Sequence, residues 1–123
     1  MATNQLSRRL DEIRTKFVSR LDGKFAETEA ALPFLKEGDS NAIAAIAATY
    51  RRFHEICGTG RTLGYRQLGL AAGEAETILL EPYRKGRALT DQEVAMLRQA
   101  LAVLRAAACV ELQSAQTDRG IKS

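Results

Sequence analysis

Apolar residues recur every three or four positions along nearly the whole of this chain, in four stretches separated by proline, glycine and short polar turns. That period gathers them on one face of a helix and does not fit a strand, whose faces alternate at every second residue. The first stretch runs Leu10, Ile13, Phe17, Leu21, Phe25, Thr28, Leu32 and Leu35. Leu6 extends it backward, with room for a short extra N-terminal helix. Gly23 weakens the pattern without ending it. Pro33 is expected to kink or break it, because proline removes an i−4 hydrogen bond and its ring crowds the preceding turn. Gly38-Asp39-Ser40 then stops the element and offers an N-cap to the next.

The second helix is expected over about 40–61, with a seam of Ile43, Ile46, Tyr50, Phe53, Cys57 and Gly60 at alternating spacings of three and four. The third should begin near Gly64 or Tyr65 and end at Pro82, carrying Tyr65, Leu68, Ala72, Ala75 and Leu79 on one face. Gly69 and Gly73 make that helix thin, so a neighbour can approach closely. A basic loop with Arg84, Lys85 and Arg87 follows over 82–89. The last helix opens with a capping box, Thr90 with Glu93, and a hydrophobic staple, Leu89 with Val94. Its stripe is Val94, Leu97, Leu101, Leu104, Ala108 and Leu112, and the polar tail over 117–123 is expected to be disordered. Four amphipathic helices with short connections describe an all-α, antiparallel up-down four-helix bundle, one domain over 1–123 with its core at about 6–115.

Composition narrows the function classes. The chain is 46% hydrophobic but only 6% aromatic, which favours helix over sheet. No apolar run reaches the length of a membrane span, and Met1-Ala2-Thr3-Asn4-Gln5 lacks the basic-then-apolar order of a secretory signal. Cys57 and Cys109 make neither a disulfide framework nor a metal cluster. A reduced, cytoplasmic protein without a membrane partner is the simplest expectation. The net charge of +3 is too small to imply nucleic acid, and in the 82–89 loop Tyr83 alone is a weak platform for bases. Charge is unevenly spread, however. Residues 50–70 hold Arg51, Arg52, Arg61 and Arg66 against Glu55 alone.

The chain's one histidine, His54, lies in that basic segment. On a helical wheel it falls on the flank of the second helix's seam, roughly 60–80° from its centre. Helical side chains lean toward the N-terminus, so the residue at i+4 ordinarily covers the one at i. Here i+4 is Gly58, and Ala47 on the other side is small too. The imidazole is therefore reachable, with Arg51 and Arg61 as neighbours at helical spacing. An exposed imidazole, with an ordinary pKa of about 6.5, is mostly neutral at pH 7 and keeps a nucleophilic nitrogen. Guanidinium groups beside it disfavour protonation and favour an incoming phosphoryl group. No Gly-rich nucleotide loop, carboxylate cluster or second histidine supports autonomous catalysis. The surface suits a phosphoryl acceptor whose partner supplies the chemistry.

At these residues the sequence resembles the histidine-containing phosphotransfer (HPt) domains of multistep phosphorelays. The matching positions are His54, Ile56, Gly58, Leu63 and Gly64, followed by Leu68, Ala72 and the pair Ala75-Glu76. The resemblance implies a four-helix bundle with His54 as phosphoryl acceptor, a carrier and not an enzyme. It implies response-regulator receiver domains as partners, with a hybrid histidine kinase as a further candidate. Mg²⁺ would belong to the receiver, so no cofactor or metal is expected on this chain. One position departs from the family: its usual lysine, three residues after the histidine, is Cys57. Arg61 and Arg51 are the candidates to support phosphate in its place, beside Gly58. Ala47, Tyr50, Arg51, Gly58, Arg61 and Tyr65 are the expected partner contacts.

Blander readings stand beside this one. A lone helical histidine is usually a boundary residue, and surface arginines are usually a solvated face. Cys57 with His54 offers two ligands where zinc needs three or four, so Cys57 reads as a small seam residue. Loss of the lysine also allows an adaptor of the same fold that binds signalling partners without transferring phosphate; a basic module for nucleic acid is a weaker third reading.

Overall fold

The structure, a computed structural model, describes residues 2–122, with side-chain surroundings for residues 5–112. Helix α1 spans Ala2–Ala31 without interruption. Leu6 lies within it, so no separate N-terminal helix precedes it among the described residues. Pro33 does break the helix: the chain tightens into a 3-10 turn over Leu32–Phe34. Asp39 then caps α2 (Ser40–Thr62), its carboxylate accepting from the Ala42 N–H at 2.8 Å.

Two glycines shape the next reversals. At the end of α2 the Tyr65 N–H bonds the Gly60 carbonyl at 2.8 Å and the Gly64 N–H bonds that of Arg61 at 3.2 Å. This Schellman pairing needs a left-handed residue at its centre, and Gly64 supplies it at φ 90°. The same bonds recur after α3 (Arg66–Lys85), where Gly86 sits at φ 62° and the Arg87 N–H reaches the Pro82 carbonyl at 3.1 Å. Pro82 therefore does not end α3, as its sequence position suggests. It removes one hydrogen bond in the last full turn, its ring is buried, and the helix continues to Gly86. Arg84 and Lys85 consequently lie in the last turn of α3 and not in a loop.

Helix α4 spans Asp91–Lys122; the expectation for 117–123 lies outside the residues whose side chains are described. Its start forms as the sequence predicts. The Glu93 N–H bonds Thr90 Oγ1 at 3.1 Å and Glu93 Oε1 accepts from the Thr90 N–H at 2.9 Å.

The helices run alternately up and down. Arg14 Nε donates to the Leu63 carbonyl at 3.2 Å, while further along α1 Lys24 pairs with Glu55 and Glu27 with Arg52. Leu68 N donates to Glu111, and Arg105 of α4 pairs with Glu29 of α1, closing the bundle. Phe17, Leu21, Phe25, Leu35, Ile46, Phe53, Ile56, Leu68, Leu79, Leu97 and Leu104 fill the core. Each such side chain contributes about 1.5–3 kcal/mol by leaving water.

Two stripes differ from their sequence reading. Leu10 and Ile13 are 38% and 50% exposed, because α1 passes the level of Leu63, where α2 ends, and so leaves the cover of α2. The buried line of α2 is Ala42, Ile46, Thr49, Phe53, Ile56 and Gly60, a register turned from the expected seam. Thr49 can be buried because its hydroxyl bonds the Ala45 carbonyl at 2.7 Å. Ile43, Tyr50 and Cys57 are left half-buried at the boundary.

The capping box yields a pH test. Arg87 grips both Glu93 oxygens at 2.8 and 3.0 Å. Those bonds, opposed by burial and aided by the Thr90 N–H, hold the Glu93 carboxyl down at a pKa of about 2, against 4.5 ordinarily. A depressed carboxylate stabilises the fold at neutral pH and loses that contribution as pH falls through its folded value. Wild type should exceed Glu93→Gln by roughly 1–3 kcal/mol in urea unfolding at pH 7. The gap should close as pH falls from 4.5 toward about 2. A gap independent of pH would assign the effect to packing instead.

Candidate functional site

Turning the α2 register moves His54 outward, to roughly 120° from the line of buried residues. Its side chain is 71% exposed. The ring is nonetheless held. Nδ1 lies 2.8 Å from Glu76 Oε1 on the facing side of α3, and that carboxylate is itself only 19% exposed. A carboxylate accepts, so the proton of this bond sits on Nδ1 and the neutral imidazole keeps its lone pair on Nε2. Glu76 entered the sequence reading only as a member of the Ala75-Glu76 pair. Its role as the imidazole's partner needs the distance between α2 and α3, which no single-helix wheel contains.

That distance is short because three glycines line the α2–α3 contact. A Cβ on Gly69 would stand 2.7 Å from Arg61 Cγ and 3.2 Å from the Cys57 carbonyl oxygen. One on Gly60 would stand 3.5 Å from the Gly69 nitrogen, and one on Gly73 3.4 Å from Cys57 Sγ. Gly58 is different: a Cβ there would meet nothing within 4 Å. The first three let helices approach, whereas Gly58 leaves space open beside the imidazole.

Tyr50, one turn before His54, lies with its ring nearly parallel to the imidazole, at 6.2 Å between centroids and 13° between planes. Tyr83, near the end of α3, stacks on Tyr50 at 4.5 Å and 8°. Burial, and after it the charge and hydrogen bonding of Glu76, raise the Tyr50 hydroxyl above its ordinary pKa, with Arg84 opposing. The sequence does not connect Tyr83 with His54, because it lies 29 residues away and past a proline.

The other expected residues divide. Arg61 runs along α3, its Cγ against Gly69 and one guanidinium nitrogen 4.0 Å from where a Gly73 Cβ would lie. Arg51 lines the groove between α1 and α2 with Arg20, Lys24 and Arg52. The two arginines thus flank His54 from opposite sides. Ala47 is half-buried and Gly58 exposed on the same helix. Tyr65 differs from the expectation of an open contact residue: it is only 7% exposed and stacks on Phe17 at 6.0 Å, packed against the core. Cys57 is half-buried beside Gly73 and presents no cation.

An exposed imidazole with a fixed tautomer and an open approach fits the resemblance noted in the sequence. The family model for Hpt domains matches residues 12–107. The chain belongs to the Hpt domain family. Nothing matches among curated proteins or among solved structures. Hpt domains are phosphotransfer modules of two-component signalling, carriers and not catalysts, and they work with response-regulator receiver domains. Among the described residues no three His, Cys, Asp or Glu are grouped to hold a metal ion. None of the described helices is long and apolar enough to cross a membrane.

The glycine-lined contact makes a contrast of two alanines informative. Gly69→Ala should destabilise the Hpt fold by about 1–3 kcal/mol, since the Cys57 backbone cannot give way as a side chain can. Gly23→Ala, with nothing within 4 Å of its new methyl group, should instead stabilise it by about 0.5–1 kcal/mol. Equal effects in urea melts would show that the helices do not approach as closely as described.

Proposed function

We propose that this Hpt domain is a phosphorelay intermediate that takes a phosphoryl group on His54 Nε2 from the aspartyl phosphate of one receiver domain and passes it to another. The single observation that carries this is the 2.8 Å bond between Nδ1 and Glu76 on a ring that is 71% exposed. The Nε2 lone pair attacks phosphorus, the N–P bond forms, and the P–O bond to the receiver's aspartate breaks with its electron pair leaving on the carboxylate. The proton stays on Nδ1, and Glu76 offsets the positive charge that the phosphorylated ring acquires. Onward transfer reverses these steps on a second receiver. Rigid placement of the nucleophile is the domain's contribution to rate. Mg²⁺ belongs to the receiver, and a hybrid kinase is a fitting donor. Such a relay operates in the cytoplasm.

Arg61 is assigned the part of the absent lysine. Its stem fills the gap left by Gly69 and its charge lies near Gly73, one turn before Glu76. Arg51 is the second candidate, reaching from the α1 side. The adaptor reading draws on one observation, the half-buried Cys57 in the lysine position.

Incubation with a phosphorylated receiver should label wild type with an acid-labile, alkali-stable phosphate and leave His54→Gln unlabelled. Absence of label from every receiver of the host would decide for the adaptor. Arg61→Ala should slow transfer about tenfold, and Arg51→Ala less, as loss of one charge contact in the transition state does. If neither change slows transfer, the arginines do not replace the lysine. Gly58→Leu should leave the fold at least as stable yet slow transfer by roughly tenfold or more, since its side chain leans over His54.

A further inference from the structure

His54 is bounded on one side and free on the other, and the two sides are built differently. Toward the C-terminus of α2, Gly58 leaves open space. Toward the N-terminus, where helical side chains lean, the ring meets Tyr50. Tyr50 does not stand alone, because Tyr83 from the far end of α3 stacks on it at 4.5 Å and 8°. The result is a column of three rings, Tyr83, Tyr50 and His54, whose spacings lie within the range of favourable aromatic pairs.

A column of this kind does more than fill space. An imidazole on the surface is free to rotate about χ2, and a half-turn exchanges the positions of Nδ1 and the ring carbon Cδ2. That exchange breaks the bond to Glu76 and releases the tautomer. Stacking on a ring that is itself clamped narrows this rotation, and it does so from the side a phosphoryl group does not use. Tyr50 also sits beside Glu76, so the carboxylate and the imidazole share one neighbour.

We infer that Tyr50, clamped by Tyr83, is a positioning residue for His54: it holds the imidazole in the rotamer that gives Nδ1–H to Glu76 and turns Nε2 toward the open side above Gly58. This inference rests on the reading of His54 Nε2 as the phosphoryl acceptor, and its test separates the two. Because the chain has one histidine, isotope labelling of histidine reports on His54 alone.

The test compares the full chain with Tyr50→Phe, Tyr50→Leu and Tyr83→Ala, each shown to be folded by its amide spectrum. Two quantities are read: the tautomer of the neutral imidazole from its ¹⁵N shifts, and the rate of phosphorylation by phosphoramidate, a small donor that needs no docking. Wild type should show predominantly the Nδ1–H form. Tyr50→Leu should shift it toward the Nε2–H form that free histidine favours and slow phosphorylation about tenfold, with Tyr83→Ala intermediate. Tyr50→Phe keeps the ring and gives up only the hydroxyl's bond to Glu76, so it should retain at least about half of the wild-type rate if the stack is what positions the imidazole. An unchanged tautomer and an unchanged phosphoramidate rate in Tyr50→Leu would overturn the inference, even if transfer from receivers suffered. No phosphorylation of wild type by any donor would instead overturn the acceptor reading. The tautomer shift in Tyr50→Leu would still decide whether Tyr50 holds the ring.

Discussion

The close approach of α2 to α3 is the constraint on which the rest of this structure depends. Residues on two helices must meet at 2.8 Å for Glu76 to hold the His54 imidazole, although neither residue is in the core. Packing of ordinary side chains keeps helix axes about 8–10 Å apart, and small residues are the means of coming to the near end of that range. Gly60 on one helix faces Gly69 on the other, and the Cys57 carbonyl oxygen lies 3.2 Å from where a Gly69 Cβ would stand. Glycine inside a helix costs roughly 1 kcal/mol against alanine, so three of them on one contact represent a real loss of stability. The Leu, Ile and Phe core shared by all four helices offsets it. Stability from the core is thus spent on bringing two polar groups together at the surface.

On the proposed reading, the same contact also bears on where phosphate is met. The seam register leaves Cys57 at the boundary, close to Gly73, where a longer cationic side chain would compete for space with Arg61. Arg61 takes that space from the opposite direction, running over Gly69 with its guanidinium toward Gly73. Departure from the family at one position and the glycines on α3 are therefore parts of a single arrangement. A thin α3 makes room for Arg61, whose guanidinium lies toward Gly73, three residues before Glu76.

The sequence made some of this visible and hid the rest for physical reasons. Signals that act within one helix turn were legible: Asp39 as a cap, Thr90 with Glu93 as a box, and Gly58 as the gap beside His54. The seam of α2 was misread because Ala42 and Thr49 are small or polar, and a stripe drawn through the largest apolar residues selects Ile43 and Tyr50 instead. Burial of Thr49 depends on a bond to its own helix, which a hydropathy pattern does not show. Pro82 was read as a terminator because proline usually is one, but the left-handed Gly86 four residues on supplies the stop. Tyr65 looked like a surface residue beside the site until the Schellman turn folded it inward onto Phe17. Tyr83 and the partnership of Glu76 with His54 belong to helix–helix geometry and have no local signature.

A nucleophile in a carrier must meet two demands that oppose each other. It must be exposed enough for two different partners to reach it, and fixed enough that each encounter finds the same atom facing outward. Burial would fix it and forbid access; full exposure would allow access and leave about three rotamer wells in competition. With His54 as the proposed acceptor of this Hpt domain, the two demands fall on different sides of one ring. Glu76 and the Tyr50–Tyr83 pair act on the sides facing α3 and the N-terminus of α2, and Gly58 clears the side facing the C-terminus. On the reading proposed for His54, fixation and access then need not compete, and an imidazole that is 71% exposed can still present one nitrogen in one direction.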